Sequence, residues 1–266
     1  MKSSIPPRLA SSVRRLPRNL LPPILTKASE SIVTCRRWGH TPLHPIRASH
    51  ALRESRLDLL PTSLAIPGGL IVDVGANVGD WTANILQVMP RAEVIAVEPS
   101  PLHRSLNERF ADRENVQVIH AAVADADGTA ELFLTEHSHN NSLLKPRDMN
   151  DFYGGGWSPI ATTKVPTRTL DSIVGDRPVF LVKIDVQGSE SAVLAGAHRT
   201  LERAAVVLLE LTTLSHYEGD STLGELHKIM EMHHYFLAGI SKPRVDSRGR
   251  ILWLDGCYVN ERAFAT

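Results

Sequence analysis

Apolar runs of strand length recur from Gly69 onward: Leu70–Val74, Val94–Val97, Val116–Ala121, Val179–Ile184 and Val206–Leu211. They are rich in Val, Ile and Leu and lack polar alternation, as a parallel sheet covered on both faces requires. Between several of them lie helix-like segments, Asp80–Val88, Pro101–Phe110 and Ser189–Leu201. This alternation predicts a doubly wound α/β domain with a mostly parallel sheet. Two departures stand out. Thr129–Leu134 reads as an extra strand after the turn Asp125-Ala126-Asp127-Gly128, and Glu136–Lys164 is a long polar, Gly-rich insertion. Near the end, Arg244–Tyr258 places Asp246-Ser247-Arg248-Gly249-Arg250 between extended segments, the pattern of an antiparallel hairpin closing a sheet edge.

The first 60 residues do not share this regularity. Nine Lys or Arg and a single acid, Glu30, occupy the first 50 positions, interrupted by prolines at 6, 7, 17, 22, 23, 42 and 45. Residues 1–60 are therefore expected to be a basic arm or small helical cap, and residues 61–266 the folded domain. The apolar run Leu20–Leu25 contains two prolines and falls far short of the ~20 residues that span a bilayer. The basic surface suits at most a weak peripheral contact with anionic lipid. Over all 266 residues the formal charge is zero, so no global field steers the chain to nucleic acid. The two cysteines, Cys35 and Cys257, make neither a disulfide framework nor a zinc spacing, so a reducing cytoplasm is the default compartment.

In open α/β sheets, ligands bind outside the carboxyl ends of the strands. The first strand ends in Asp73-Val74-Gly75-Ala76-Asn77-Val78-Gly79. Gly75 permits a tight turn, and Gly79 would let the chain approach a ligand with no Cβ in the way. A dinucleotide fingerprint needs a glycine where Asn77 stands, which disfavours a nicotinamide cofactor. The acid before the turn, Asp73, would repel a pyrophosphate but attract a cationic amine. Glu98, ending the next strand, is placed to accept both hydroxyls of an unphosphorylated ribose. Asp125, after the third strand, stands where an adenine amino group would be bound. An amino acid, a sulfonium cation, a ribose and an adenine together make S-adenosylmethionine, the cofactor expected here.

Methyl transfer from a sulfonium needs an aligned acceptor oxygen and a place for its proton. Lys183 and Asp185 share one face of the fourth strand, at its carboxyl end, and Glu210 ends the fifth. A lysine in such a strand is costly unless an acid pairs with it: Glu190, Glu210 or Asp185. His216, in the loop after Glu210, has an ordinary pKa near the working pH and is a candidate general base. The loop His137–Leu143 offers a polar lining for a hydroxylated acceptor. Asp185 and Glu210 carry enough charge for Mg²⁺, but no tight acidic cluster marks a metal site, and none is expected.

The segments "VDVGANVGDWT", "AVEPSP", "AAVADADGTAELF", "VPTRTLDSI", "LVKIDVQGSESAVLAGA" and "VVLLEL", in this order, resemble the FkbM family of S-adenosylmethionine-dependent methyltransferases. The closing "ILWLDGCYVN" is similar to that family's last strand, and Lys183–Glu190 is the most family-specific part. The resemblance runs from Gly69 to Asn260. It implies a class I methyltransferase fold with a seven-stranded sheet. It also implies O-methylation of a sugar, glycolipid, polyketide or related metabolite, as in secondary metabolism. One departure is Gln187, where the family more often carries Glu. An N- or C-methyltransferase, or a non-catalytic module that binds the cofactor, is the alternative.

Overall fold

The structure, a computed structural model, describes residues 45–61, 64 and 69–264; residues 1–44, and with them most of the basic arm and Cys35, lie outside the described residues. In chain order the strands are β1 (Leu70–Val74), β2 (Val94–Val97), β3 (Val116–Ile119), β4 (Ala122–Val123), β5 (Gly128–Thr135), β6 (Pro159–Arg168), β7 (Val179–Ile184), β8 (Val206–Thr212), β9 (Tyr235–Ile240), β10 (Arg244–Val245) and β11 (Ile251–Asn260). The helices are α1 (Pro45–Glu54), α2 (Asp80–Val88), α3 (His103–Arg109), α4 (Asn150–Tyr153), α5 (Leu170–Val174), α6 (Glu190–Ala195), α7 (His198–Arg203) and α8 (Leu223–Met232).

The main sheet runs β3-β2-β1-β7-β8-β11, with β9 and β10 both paired to β11. Strands β1, β2, β3, β7 and β8 are parallel, and β11 is antiparallel to β8, β9 and β10. This is the doubly wound, class I methyltransferase arrangement with its antiparallel closing hairpin. It counts eight strands where seven were expected, because the two-residue β10 joins the edge. The order reverses beside β1, where chain leaves in opposite directions from β1 and β7 and a crevice opens at their carboxyl ends.

A small second sheet, β4-β6-β5, stands beside the main one. Strand β6 occupies part of what reads in sequence as insertion. Its first residues are mostly exposed, so their polar character gives no strand pattern; pairing with β5 holds them extended. The single helix expected over Ser189–Leu201 is two, α6 and α7, separated at Gly196-Ala197. Helix α8 starts with a capping box between Thr222 and Glu225, an N-terminal signal that the sequence reading passed over.

Each face of the sheet has its own core. Val72, Val74, Val182 and Ile184 pack with Val193 and Leu226 on one side. Ile71, Leu181 and Val206 pack with Ile85 and Leu106 on the other. Alternate residues of one strand thus enter opposite cores, which is why β1 and β7 are apolar almost without interruption. The second core also takes in Ala51, Leu52 and Leu57. A division at residue 60 cuts through this cluster, because α1 and Leu57 pack in the same core as the sheet. Among the described residues no helix is long and apolar enough to cross a membrane.

Leu57 tests this assignment. It is 2% exposed, so Leu57→Ala should destabilise the protein by about 2–5 kcal/mol, measured by urea unfolding. An unchanged midpoint would place residue 57 outside the cooperative unit.

Candidate active site

The turn after β1 is built against the end of β7. Gly75 has φ 80°, and a Cβ there would lie 1.9 Å from the carbonyl oxygen of Asp185, so only glycine fits. Gly79, at φ 86°, has a different reason. A Cβ would meet Leu106 and Phe110 at 2.5 and 2.7 Å. Its glycine allows α2 and α3 to pack closely and does not face the crevice, correcting the ligand-approach role expected from sequence. Between them Asn77 adopts φ 50° and donates its backbone N–H to Glu98 Oε2 at 2.8 Å. The Ser100 backbone N–H donates to Glu98 Oε1 at 2.8 Å. Glu98, 5% exposed, is thereby fixed at the edge of a solvent-open cleft of about 600 Å³.

Val97, Ala121, Val123 and Leu132 supply apolar walls to that cleft; Ser138, His139, Asn141 and Ser142 supply a polar one. Asp185 and Gln187 close its end next to Gly75. Asp125 is exposed and does not line the cleft. Strand β3 stops at Ile119, and the chain has already turned out towards solvent two residues past Val123.

Asp73 is also displaced from its expected role. It stands opposite Lys183 in the β1–β7 register and is fully buried. Lys183 Nζ lies 3.3 Å from Asp73 Oδ1 and 3.3 Å from Asp185 Oδ2, and donates to the Gly75 carbonyl at 3.2 Å. Thr82 Oγ1 donates to Asp73 Oδ2 at 2.7 Å. The Asp73 carboxylate is thus buried behind the turn, paired with Lys183 and bonded by Thr82, and is not part of the cleft wall. For Lys183, burial pulls the pKa down, but the charges of Asp185 and Asp73 outweigh it and raise the value above that of a free lysine. A lysine held so firmly protonated is no general base; it orders the strand ends.

Asp185 is ionised. Burial acts to raise its pKa, and Lys183 and the Gln187 amide reverse this and lower it. Gln187, itself at φ 59°, donates Nε2 to Asp185 Oδ1 at 2.7 Å and to Glu210 Oε2 at 2.9 Å. Glu210 is pushed the other way, well above the carboxylate range, first by burial and then by the charges of Asp185, Glu190 and Asp255. Glu190 accepts the Val186 and Gly188 N–H groups at 3.2 and 3.1 Å, yet burial still raises its pKa to about 7. Among the described residues no group of three His, Cys, Asp or Glu has metal-holding geometry.

His216 is 3% exposed and absent from the cleft wall. Its Nε2 is hydrogen-bonded with Tyr153 Oη at 2.7 Å, and its ring stacks on Trp157 at 5.3 Å. Burial, opposed by Asp220, lowers its pKa. It belongs to an aromatic cluster with Tyr153, Trp157 and Tyr217, and the base role expected from sequence has no path to the cleft. The imidazole that does line the cleft is His139. Sequence marked its loop as a polar lining, but nothing in one dimension separated His139 from the other histidines there.

The model of the methyltransferase FkbM domain family matches residues 73–237, more than half of the chain. The chain is 28% identical over 172 residues to the 2-O-methyltransferase NoeI of Sinorhizobium fredii, covering 59% of this chain and 69% of that protein. It is 24% identical over 202 residues to the 31-O-demethyl-FK506 methyltransferase FkbM of Streptomyces tacrolimicus, with coverage of 66% and 76%. Among solved structures, methyltransferase FkbM of Methylobacillus flagellatus aligns with a TM-score of 0.49 at 15% identity, over 87% of this chain and 60% of that one. The chain therefore spans less than two thirds of that protein.

The ion triad makes a stability prediction. Lys183→Met leaves Asp73 buried and uncompensated, which should cost about 3–5 kcal/mol in unfolding free energy. A loss below 1 kcal/mol would mean that Asp73 does not depend on the lysine.

Proposed function

The chain belongs to the methyltransferase FkbM domain family, and from that premise we propose that it transfers a methyl group from S-adenosylmethionine to a hydroxyl oxygen of a sugar, glycolipid, polyketide or related small molecule. The observation that carries this reading is Glu98. Its two oxygens each accept one backbone N–H, leaving a free lone pair on each for a vicinal pair of ribose hydroxyls. Apolar walls from Val97, Ala121, Val123 and Leu132 suit a flat base beside that carboxylate. Glycine at 75 keeps the turn low over the cleft mouth, with Asn77 at its tip. These residues fit the cofactor; Asp73, Gly79 and Asp125 act behind or away from it.

When bound, S-adenosylmethionine supplies an electrophilic methyl group on a cationic sulfur. The protein's tasks are then to hold the nucleoside, align the acceptor hydroxyl and receive its proton. Asp185 suits the last two. It is ionised, its side chain is 38% exposed, and it lines the cleft next to Gly75. Lys183 keeps it oriented and does not exchange its own proton. Ser138, His139 and Asn141 face the same space, a set of short polar side chains matched to a neutral polyhydroxylated acceptor. The relatives NoeI and FkbM, both named for methylation at an oxygen, support oxygen as the atom methylated here.

Two measurements test the reading. Calorimetry should detect binding of S-adenosylmethionine and none of NAD, with Glu98→Ala weakening it by about 1.5–3 kcal/mol; equal affinity in a folded variant would remove the ribose role. With a metabolite extract as the source of acceptor, Asp185→Asn should retain cofactor binding while release of S-adenosylhomocysteine falls on the order of 10²–10⁴-fold. Full turnover in that variant would move the proton to another group, His139 first.

A further inference from the structure

The acids Asp185 and Glu210 end neighbouring parallel strands, and one amide joins them. Gln187 Nε2 has two hydrogens; one goes to Asp185 Oδ1 and the other to Glu210 Oε2. At its other end Gln187 Oε1 accepts the Tyr217 hydroxyl at 3.0 Å, and that hydroxyl also reaches the Asn140 carbonyl at 3.1 Å. Flipping the amide would point its oxygen at both carboxyl groups, so the network admits one orientation. The Gln187 backbone carbonyl accepts Ser142 Oγ at 2.6 Å. Every polar atom of the side chain is therefore committed, to the two acids and to Tyr217, while the backbone carbonyl is held by the loop that lines the cleft.

One amide nitrogen thus holds the Asp185 and Glu210 carboxyl groups side by side. Two carboxylates gripped by the same amide repel one another, which favours a single proton between them. The groups around them decide where it resides. Lys183 faces Asp185; Glu190, Asp255, Tyr153 and Tyr217 surround Glu210, and Asp255 is itself paired with Arg56 at 2.6 Å. Lys183 pairs directly with Asp185 and acts on Glu210 less than burial and the carboxylates of Asp185, Glu190 and Asp255 do, which favours the charge on Asp185 and the proton on Glu210.

We infer that Gln187 is a positioning residue that locks Asp185 and Glu210 into one proton-sharing pair, and that this pair, as a unit of charge −1, receives the acceptor's proton. The inference rests on the methyl-transfer reading for the proton's source. As the acceptor oxygen bonds to the methyl carbon and the methyl–sulfur bond breaks, the O–H proton passes to Asp185. The sulfonium's positive charge and the pair's negative charge are lost together, and the pair, now carrying two protons, returns one to solvent afterwards. Sharing lets a carboxylate that Lys183 has made weakly basic take a proton, because its partner can redistribute the hydrogen bond.

Infrared spectroscopy of the purified full-length protein tests this without an acceptor. At neutral pH a protonated carboxyl C=O stretch should be present that Glu210→Gln removes, distinct from the one removed by Glu190→Gln. In Gln187→Met, similar in size but with no N–H, the Glu210 band should persist to a pH about one unit higher, the effect of losing a charge-assisted hydrogen bond to the ionised state. Tyr217→Phe, which frees the amide from its anchor, should shift the band in the same direction by less, and serves if Gln187→Met does not fold. Absence of a Glu210 band in the wild type, or identical titration in wild type and both variants, overturns the pairing. Calorimetry on the same samples separates this from the cofactor reading: a shared proton with no binding of S-adenosylmethionine would sink that reading and leave the pair standing.

Discussion

The ammonium of Lys183, buried between Asp73 and Asp185 at the ends of two adjacent parallel strands, is the interaction on which the cleft depends. Removing a lysine from water costs several kcal/mol unless its charge is met. Here the register sets Asp73 directly across from Lys183, and the strand's two-residue repeat brings Asp185 to the same face. The third contact is the Gly75 carbonyl, so the lysine also ties down the turn that follows β1. Because that turn presses on Asp185 with no room for a side chain, the Asn77 N–H points at Glu98. The Glu98 end and the Asp185 end of the cleft are thus positioned by one buried cation.

That single cation also sorts the acids around it. Asp73 and Asp185 form ion pairs with it, whereas at Glu210 its charge is outweighed by burial and by neighbouring carboxylates. The lysine lowers the pKa of Asp185, while burial and neighbouring carboxylates drive Glu210 and Glu190 towards the protonated form. A site with four carboxyl groups within a few residues of the strand ends therefore presents one ionised carboxylate to the cleft beside Glu98. A divergence of proton affinities among neighbouring acids is what acid–base chemistry near neutral pH requires.

The polar wall of the cleft is carried by chain outside the main sheet. The segment between β5 and β6 folds over the strand ends and is fastened to the loop after β8: the Arg147 N–H donates to the His216 carbonyl, and Glu218 N–H to the Lys145 carbonyl. Beneath this junction Met149, Trp157 and Tyr217 form their own small apolar cluster. His216 lies in this packing, and burial there lowers its pKa. The same cluster seats Tyr217 so that its hydroxyl reaches Gln187, linking the lining loop to the acids.

Much of this was legible in the sequence, and the limits follow from where each signal resides. β1, β2, β7, β8 and α2 could be read because strands buried on both faces must be continuously apolar and a surface helix must be amphipathic. Glu98 and Asp185 could be read because a parallel sheet places the residue ending each strand at the ligand crevice. Strand β6 could not, since exposed polar residues are held extended only by their partner β5. Asp73 and Gly79 looked like ligand contacts because a turn's sequence does not say which side of it faces the cleft; the β1–β7 register and the α2–α3 contact decided that. His216 and His139 differ only in what packs over them. Local chemistry sets which residues can carry charge at a strand end; which of them meets solvent, and with which proton, is set by neighbours distant in sequence, because burial and Coulomb interactions act through space.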